Sequence, residues 1–92
     1  MISEKDKTAI IDLARRYDVR RLLLFGSAAD PAGQANDIDL AVEGILPEKF
    51  FAFYGDLLFA LSTPVDLIDL AVDTAFNRLI RREGILLYGQ PA

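Results

Sequence analysis

Leu22-Leu23-Leu24-Phe25-Gly26-Ser27, then a stretch of small and turn-forming residues from 28 to 36, then Asp37-Ile38-Asp39-Leu40-Ala41-Val42: the reading of this segment decides the fold. Arg21 to Phe25 is a short apolar run bounded by Gly26, which suits a strand covered on both faces. Ala28, Ala29, Asp30, Pro31, Gly33 and Asn36 predict one helical turn followed by a loop. Asp37 to Val42 alternates, with Asp37, Asp39 and Ala41 pointing one way and Ile38, Leu40 and Val42 the other. A strand with this pattern turns an apolar face to the core and sets two carboxylates on the opposite face.

Each part of the segment has a chemical reading and a plainer one. Backbone N–H groups where a helix opens after Gly26, together with the Ser27 hydroxyl, can hold a phosphate; a Gly-Ser turn after a strand is also a common structural bend. Asp37 and Asp39 are placed on one side by the two-residue period of a strand, and two carboxylates that close repel unless a cation or proton lies between them. The alternative is a polar strand surface facing water. With neither Cys nor His in the chain, disulfides and Cys/His zinc sites are excluded, so a metal here must be held by oxygen: magnesium, manganese or calcium.

A second acidic strand pattern lies downstream. Val65-Asp66-Leu67-Ile68-Asp69-Leu70 puts an acid inside an apolar run, which costs several kcal/mol if it is buried without a partner. Beside the Asp37/Asp39 strand, Asp66 would complete a three-carboxylate cluster. Asp69 faces the other side of a regular strand, so it is expected to cap or to meet an arginine such as Arg78.

The rest of the chain supplies the frame. Ser3 to Tyr17 predicts an amphipathic helix with Ser3 as N-cap, acidic Glu4 and Asp6 in its first turn, and Ile10, Leu13, Ala14 and Tyr17 on one face. Pro47 favours a helix start. From there Phe50, Phe51, Phe53, Tyr54, Leu57, Leu58 and Leu61 form an apolar stripe wider than one sheet can cover, and Pro64 stops it. Some of these rings are therefore expected to stay exposed in the monomer and to be covered in a homodimer or by a partner chain. Asp73 is expected to cap a last helix carrying Phe76, Leu79 and Ile80 inward, ended by Gly84, with Ile85 to Tyr88 as a strand or docking segment. The expectation is one domain over residues 1–92, of α/β (α+β) class, with a small mixed three-stranded sheet flanked by helices.

Composition narrows the function. Ten Lys and Arg against fourteen Asp and Glu give a net charge of −4, which argues against nonspecific nucleic-acid binding. Arginines cluster at Arg15, Arg16, Arg20 and Arg21 and again at Arg78, Arg81 and Arg82, as ion-paired surface or as anion-binding patches. The N-terminal segment, Met1 to Lys7, does not read as a signal peptide, and no apolar run reaches membrane-spanning length, so a soluble cytoplasmic protein is expected.

Together, Gly26-Ser27, Asp37-Ile38-Asp39-Leu40 and Val65-Asp66-Leu67 resemble the nucleotidyltransferase superfamily with the DNA polymerase beta-like fold. The chain length and the ending Gly84-Ile85-Leu86-Leu87-Tyr88 resemble its minimal nucleotidyltransferases (MNT) in particular. The resemblance implies that Asp37 and Asp39 hold magnesium ions, two in all, that bridge the phosphates of a nucleoside triphosphate, with ATP the expected donor. Asp66 would hold the second ion and favour deprotonation of the attacking hydroxyl, and Gly26 and Ser27 would bind the triphosphate. The implied reaction is transfer of a nucleoside monophosphate, AMP from ATP, to a hydroxyl with release of pyrophosphate. Minimal members pair with a HEPN-domain RNase toxin and act as its antitoxin, in some systems by placing AMP on a toxin tyrosine.

The chain departs from the pattern in two places. Ala28-Ala29-Asp30-Pro31 carries an acid where a basic residue is usual, and Asn36 stands where Ser is common. If the turn cradles phosphate, Asp30→Arg should strengthen magnesium-dependent ATP binding, by on the order of 1–3 kcal/mol in a titration. Two readings stay open: an enzyme that nucleotidylates its partner, and an antitoxin-like subunit that neutralises the partner by contact, favoured by the aromatic stripe and the missing basic residue. A nucleotidyltransferase acting on RNA or an antibiotic fits less well, because no substrate-binding domain is attached.

Overall fold

The computed structural model describes residues 2–26 and 37–91. The turn expected over residues 27–36, with Ser27, Asp30 and Asn36, lies outside the described residues. Ser3 caps the first helix (α1, Glu4–Arg16) as its sequence predicts, its hydroxyl accepting the Asp6 N–H at 3.1 Å. The helix stops where Asp18 takes a left-handed φ of 55°. Strands β1 (Arg21–Phe25) and β2 (Ile38–Glu43) follow, then α2 (Pro47–Ala60), β3 (Val65–Asp69), α3 (Ala75–Glu83) and β4 (Ile85–Gly89).

The sheet order is β3-β2-β1-β4. β1 runs antiparallel to both β2 and β4, whereas β2 and β3 are parallel, joined by the α2 crossover. The sheet is mixed, as expected, but has four strands and not three. The 85–88 segment is the fourth: it hydrogen-bonds to the edge of β1, which would otherwise expose a row of unpaired backbone groups.

Alternation sorts the strand residues onto two faces. On the rear face Leu22, Leu24, Ile38, Leu40, Val42, Val65 and Leu67 meet Ile10, Leu13 and Ala14 of α1 and Phe53 and Leu57 of α2. Each such side chain contributes about 1.5–3 kcal/mol on burial, so this layer holds most of the fold's stability. Polar ties fix the helix pair: the Tyr17 ring lies 5.3 Å from Phe53 and its hydroxyl donates to Asp56 Oδ2 at 2.6 Å. Asp6, though buried, accepts from the Ser62 hydroxyl at 2.8 Å, which satisfies its carboxylate.

Among the described residues, the front face is covered in its middle, by α3. Leu23 of β1, Ala41 of β2, Leu70 and Ile80 form the second core cluster. Here two expectations are corrected. Phe76 and Leu79 do not turn inward; they are 53% and 43% exposed, because a nine-residue helix laid across one band of the sheet buries Ile80 and Asn77 alone. Thr74, not Asp73, is the N-cap, accepting the Asn77 N–H at 3.0 Å. Asp73 instead accepts from Arg78 at 2.8 Å. Asp69 accepts the Ala71 N–H at 2.9 Å, so it caps the turn after β3, as one of its two expected roles.

At one end of this face Glu43 is 7% exposed and would be costly if unpaired. Arg21 forks onto it through Nε at 3.0 Å and through its terminal nitrogen at 2.7 and 2.6 Å, and Arg81 donates to its other side while also reaching the Leu70 carbonyl at 2.7 Å. Burial alone would raise the Glu43 carboxyl; the hydrogen bonds and charges of Arg21 and Arg81 outweigh it and hold the group below the ordinary carboxylate range. The arginine clusters thus resolve in part into an internal ion-pair network. Among the described residues, no helix is long and apolar enough to cross a membrane.

Candidate active site

The acidic site forms at the other end of the same front face. β2 alternates, so Asp39 shares a face with Ala41 and Glu43, two and four residues on. The antiparallel register sets Phe25 of β1 opposite Asp39, and the parallel register sets Asp66 of β3 opposite Asp39 on its other side. A row therefore crosses the sheet end: Phe25, Asp39, Asp66. α3 stops short of it, so Asp66 is exposed and Asp39 half-buried.

Asp37 stands just ahead of β2 and is exposed. Its charge is felt at Asp39, whose carboxyl is raised above its ordinary value, first by burial, then by Asp66 and then by Asp37. The register brings Asp39 and Asp66 together; Asp37 joins them electrostatically. Among the described residues no three Asp, Glu, His or Cys side chains are arranged as they stand to enclose a metal ion.

Gly26 explains why the β1 turn belongs to this site. Its φ is +71°, a left-handed conformation costly for any residue with a Cβ, and a Cβ placed there would collide with Asp39 Oδ2. The Gly26 backbone thus lies directly against the carboxylate. Ser27, the other residue expected to bind phosphate, lies outside the described residues. Gly26→Ala should lower the melting temperature by roughly 5–10 °C, from a left-handed backbone cost of about 1–2 kcal/mol. It should also displace Asp39 and weaken nucleotide binding, as ATP titration would show. Unchanged melting and affinity would mean that the close approach is not needed.

The sequence reading did not single out Phe25. It lies beside Asp39 and meets Phe76 of α3 edge-on, ring centroids 6.0 Å apart, which gives the row an apolar wall. The available signal was its two-residue spacing from Leu23, which places it on the front face.

The donor set suits a hard divalent cation: carboxylate oxygens on adjacent strands, a raised carboxyl that a positive charge would relieve, and a backbone turn within reach. In geometry this is a pair of acids abreast at one end of the sheet beside Gly26, compatible with metal-assisted phosphoryl transfer.

The comparisons with known proteins agree with that class. The family model described as polymerase beta, nucleotidyltransferase, matches residues 8–91, and the chain belongs to that family. No curated protein matches it in sequence. Among solved structures it is similar to a toxin–antitoxin solved with AMP-PNP, at 28% identity and a TM-score of 0.74, over 91% of this chain and 73% of the matched one. A toxin–antitoxin MntA–HepT structure matches at 26% identity and a TM-score of 0.71, over 96% and 74%. A third is a Shewanella oneidensis complex of tri-AMPylated HEPN toxin with MNT antitoxin, at 27% identity and a TM-score of 0.70, over 92% and 71%. The fold is that of the MNT nucleotidyltransferases, as the resemblance implied.

Proposed function

We propose that this protein is a magnesium-dependent nucleotidyltransferase that transfers AMP from ATP to a hydroxyl of a partner protein, as the antitoxin of a HEPN-type RNase toxin. The observation that carries this reading is the pairing of Asp39 with Asp66 in register, with the Gly26 backbone against Asp39. Its support from similar proteins is the AMP-PNP bound in one and the AMPylated toxin in another.

In this reading Asp37, Asp39 and Asp66 would hold two magnesium ions, and Gly26 and Ser27 would receive the triphosphate through backbone N–H groups and the Ser27 hydroxyl. The bound ions would supply charge neutralisation and a template for in-line displacement. The acceptor oxygen forms a bond to the α-phosphorus, the bond from that phosphorus to the bridging oxygen breaks, and pyrophosphate leaves. Asp66, the exposed member of the pair, would favour deprotonation of the acceptor hydroxyl and take up its proton.

The test uses ATP labelled at the α-phosphate, magnesium, and the toxin encoded beside this protein. Label should pass to the toxin, and should not with Asp39→Asn. Neutralisation of the toxin without any label, unchanged by that substitution, would show inhibition by contact and refute transfer.

A further inference from the structure

The wall beside the acidic row holds an aromatic ring that the core does not use. α3 packs on the front face through Ile80 and Asn77 and leaves Phe76 half-exposed. The Phe76 ring meets Phe25 edge-on, with the two planes at 81°. Whichever ring presents its edge, at least one face of Phe76 stays outside the contact.

Position decides what that face is placed to meet. Phe25 stands opposite Asp39 and directly precedes Gly26, whose backbone lies against the Asp39 carboxylate. Along the end of the sheet the order is therefore Asp66, Asp39 and the Gly26 backbone, with α3 to one side, over the middle of the face. An in-line transfer sets the acceptor oxygen, the α-phosphorus and the leaving pyrophosphate on one axis. With the acceptor deprotonated beside Asp66 and the triphosphate received at Gly26, that axis runs along the row. The nucleoside oxygen leaves the phosphorus sideways from it, and Phe76 stands on the side toward the middle of the face. Chemistry points the same way. The acids and their cations take the phosphates, whereas a ring without charge or hydrogen-bonding groups suits the flat, uncharged end of a nucleotide.

We propose that Phe76 binds the nucleobase: the purine ring of the nucleoside triphosphate stacks on its open face, with Phe25 behind it. This rests on the nucleotidyltransferase reading and adds to it the place of the base.

The chain has no tryptophan, so Phe76→Trp introduces a single indole reporter. With magnesium present, ATP should quench its emission. Tripolyphosphate, which carries the phosphates without the base, should leave it unchanged. Phe76→Ser should weaken ATP binding by roughly tenfold in a calorimetric titration and leave tripolyphosphate binding as it was. Phe76→Tyr keeps a ring face and should bind ATP like the parent protein. Equal ATP affinity in Phe76→Ser and the parent would overturn the base site and leave the phosphate reading standing. So would indole emission that responds to the partner protein and not to ATP, which would make Phe76 a contact for the acceptor. If neither ATP nor tripolyphosphate bound the parent, the nucleotidyltransferase reading would fall, and this inference with it.

Discussion

Asp39→Asn should abolish the proposed magnesium-dependent ATP binding and nucleotide transfer, while the metal-free protein should melt at the same temperature or slightly higher. The expected loss of transfer is at least about 10³-fold, since several kcal/mol of charge stabilisation depend on the cation this group would hold. The rise in stability has the opposite origin. In the folded protein the Asp39 carboxyl is raised by burial and by Asp66 and Asp37. Its proton-bound form is therefore favoured by folding: that contribution is complete below the unfolded value and is lost as pH rises through the folded one. At neutral pH the group is ionised and works against the fold, by up to about 1 kcal/mol for a like-charged neighbour at high dielectric. Asparagine removes this, so the gain should be roughly 4 °C or less. Cation binding needs the ionised form, so affinity should fall as pH drops through the raised value. A melting temperature many degrees lower would make Asp39 a structural residue and remove it from the site.

Glu43→Gln gives the largest loss of stability, about 3 kcal/mol, or roughly 15 °C in melting temperature, without touching the acidic row. The substitution keeps the shape but leaves the largely buried Arg21 without its bidentate partner and Arg81 with one acceptor fewer. Here the pH dependence is reversed relative to Asp39. Glu43 is held below its ordinary value, so its contribution is present above the unfolded pKa and disappears as pH falls through the folded one. Thermal melts of wild type and variant across acidic pH should converge. A wild type whose melting does not fall more steeply than the variant's in acid would show that the network contributes nothing.

The sequence made the acidic row legible because a strand's two-residue period is rigid: once residues 37–42 alternate, Asp39 has one face available. Asp66 was legible for another reason, its cost inside an apolar run. Glu43 was not singled out, although it continues the Asp39–Ala41 series, because its partners Arg21 and Arg81 come from β1 and α3 and meet only through tertiary packing. The same limit explains Phe76. Its helical spacing from Ile80 predicts one buried face, but how much sheet a short helix covers is set by where it lands. The exposed Phe51 and Leu58 were anticipated from the width of the α2 stripe; Phe59, the most exposed of the three, fell outside that stripe.

The single parallel pairing in the sheet has a kinetic consequence. β1 and β2 can zip as antiparallel neighbours, but Asp39 and Asp66 come abreast only after α2 has formed and the chain has crossed back over it. Closing that longer loop is entropically slower than joining local contacts. The acid pair thus assembles with the crossover and not with the local hairpin, while the β1–β4 pairing, which joins Leu22 to Tyr88, closes a longer loop still. A nascent or partly unfolded chain would carry the ligands without the site, so any phosphoryl-transfer competence waits on completion of the fold.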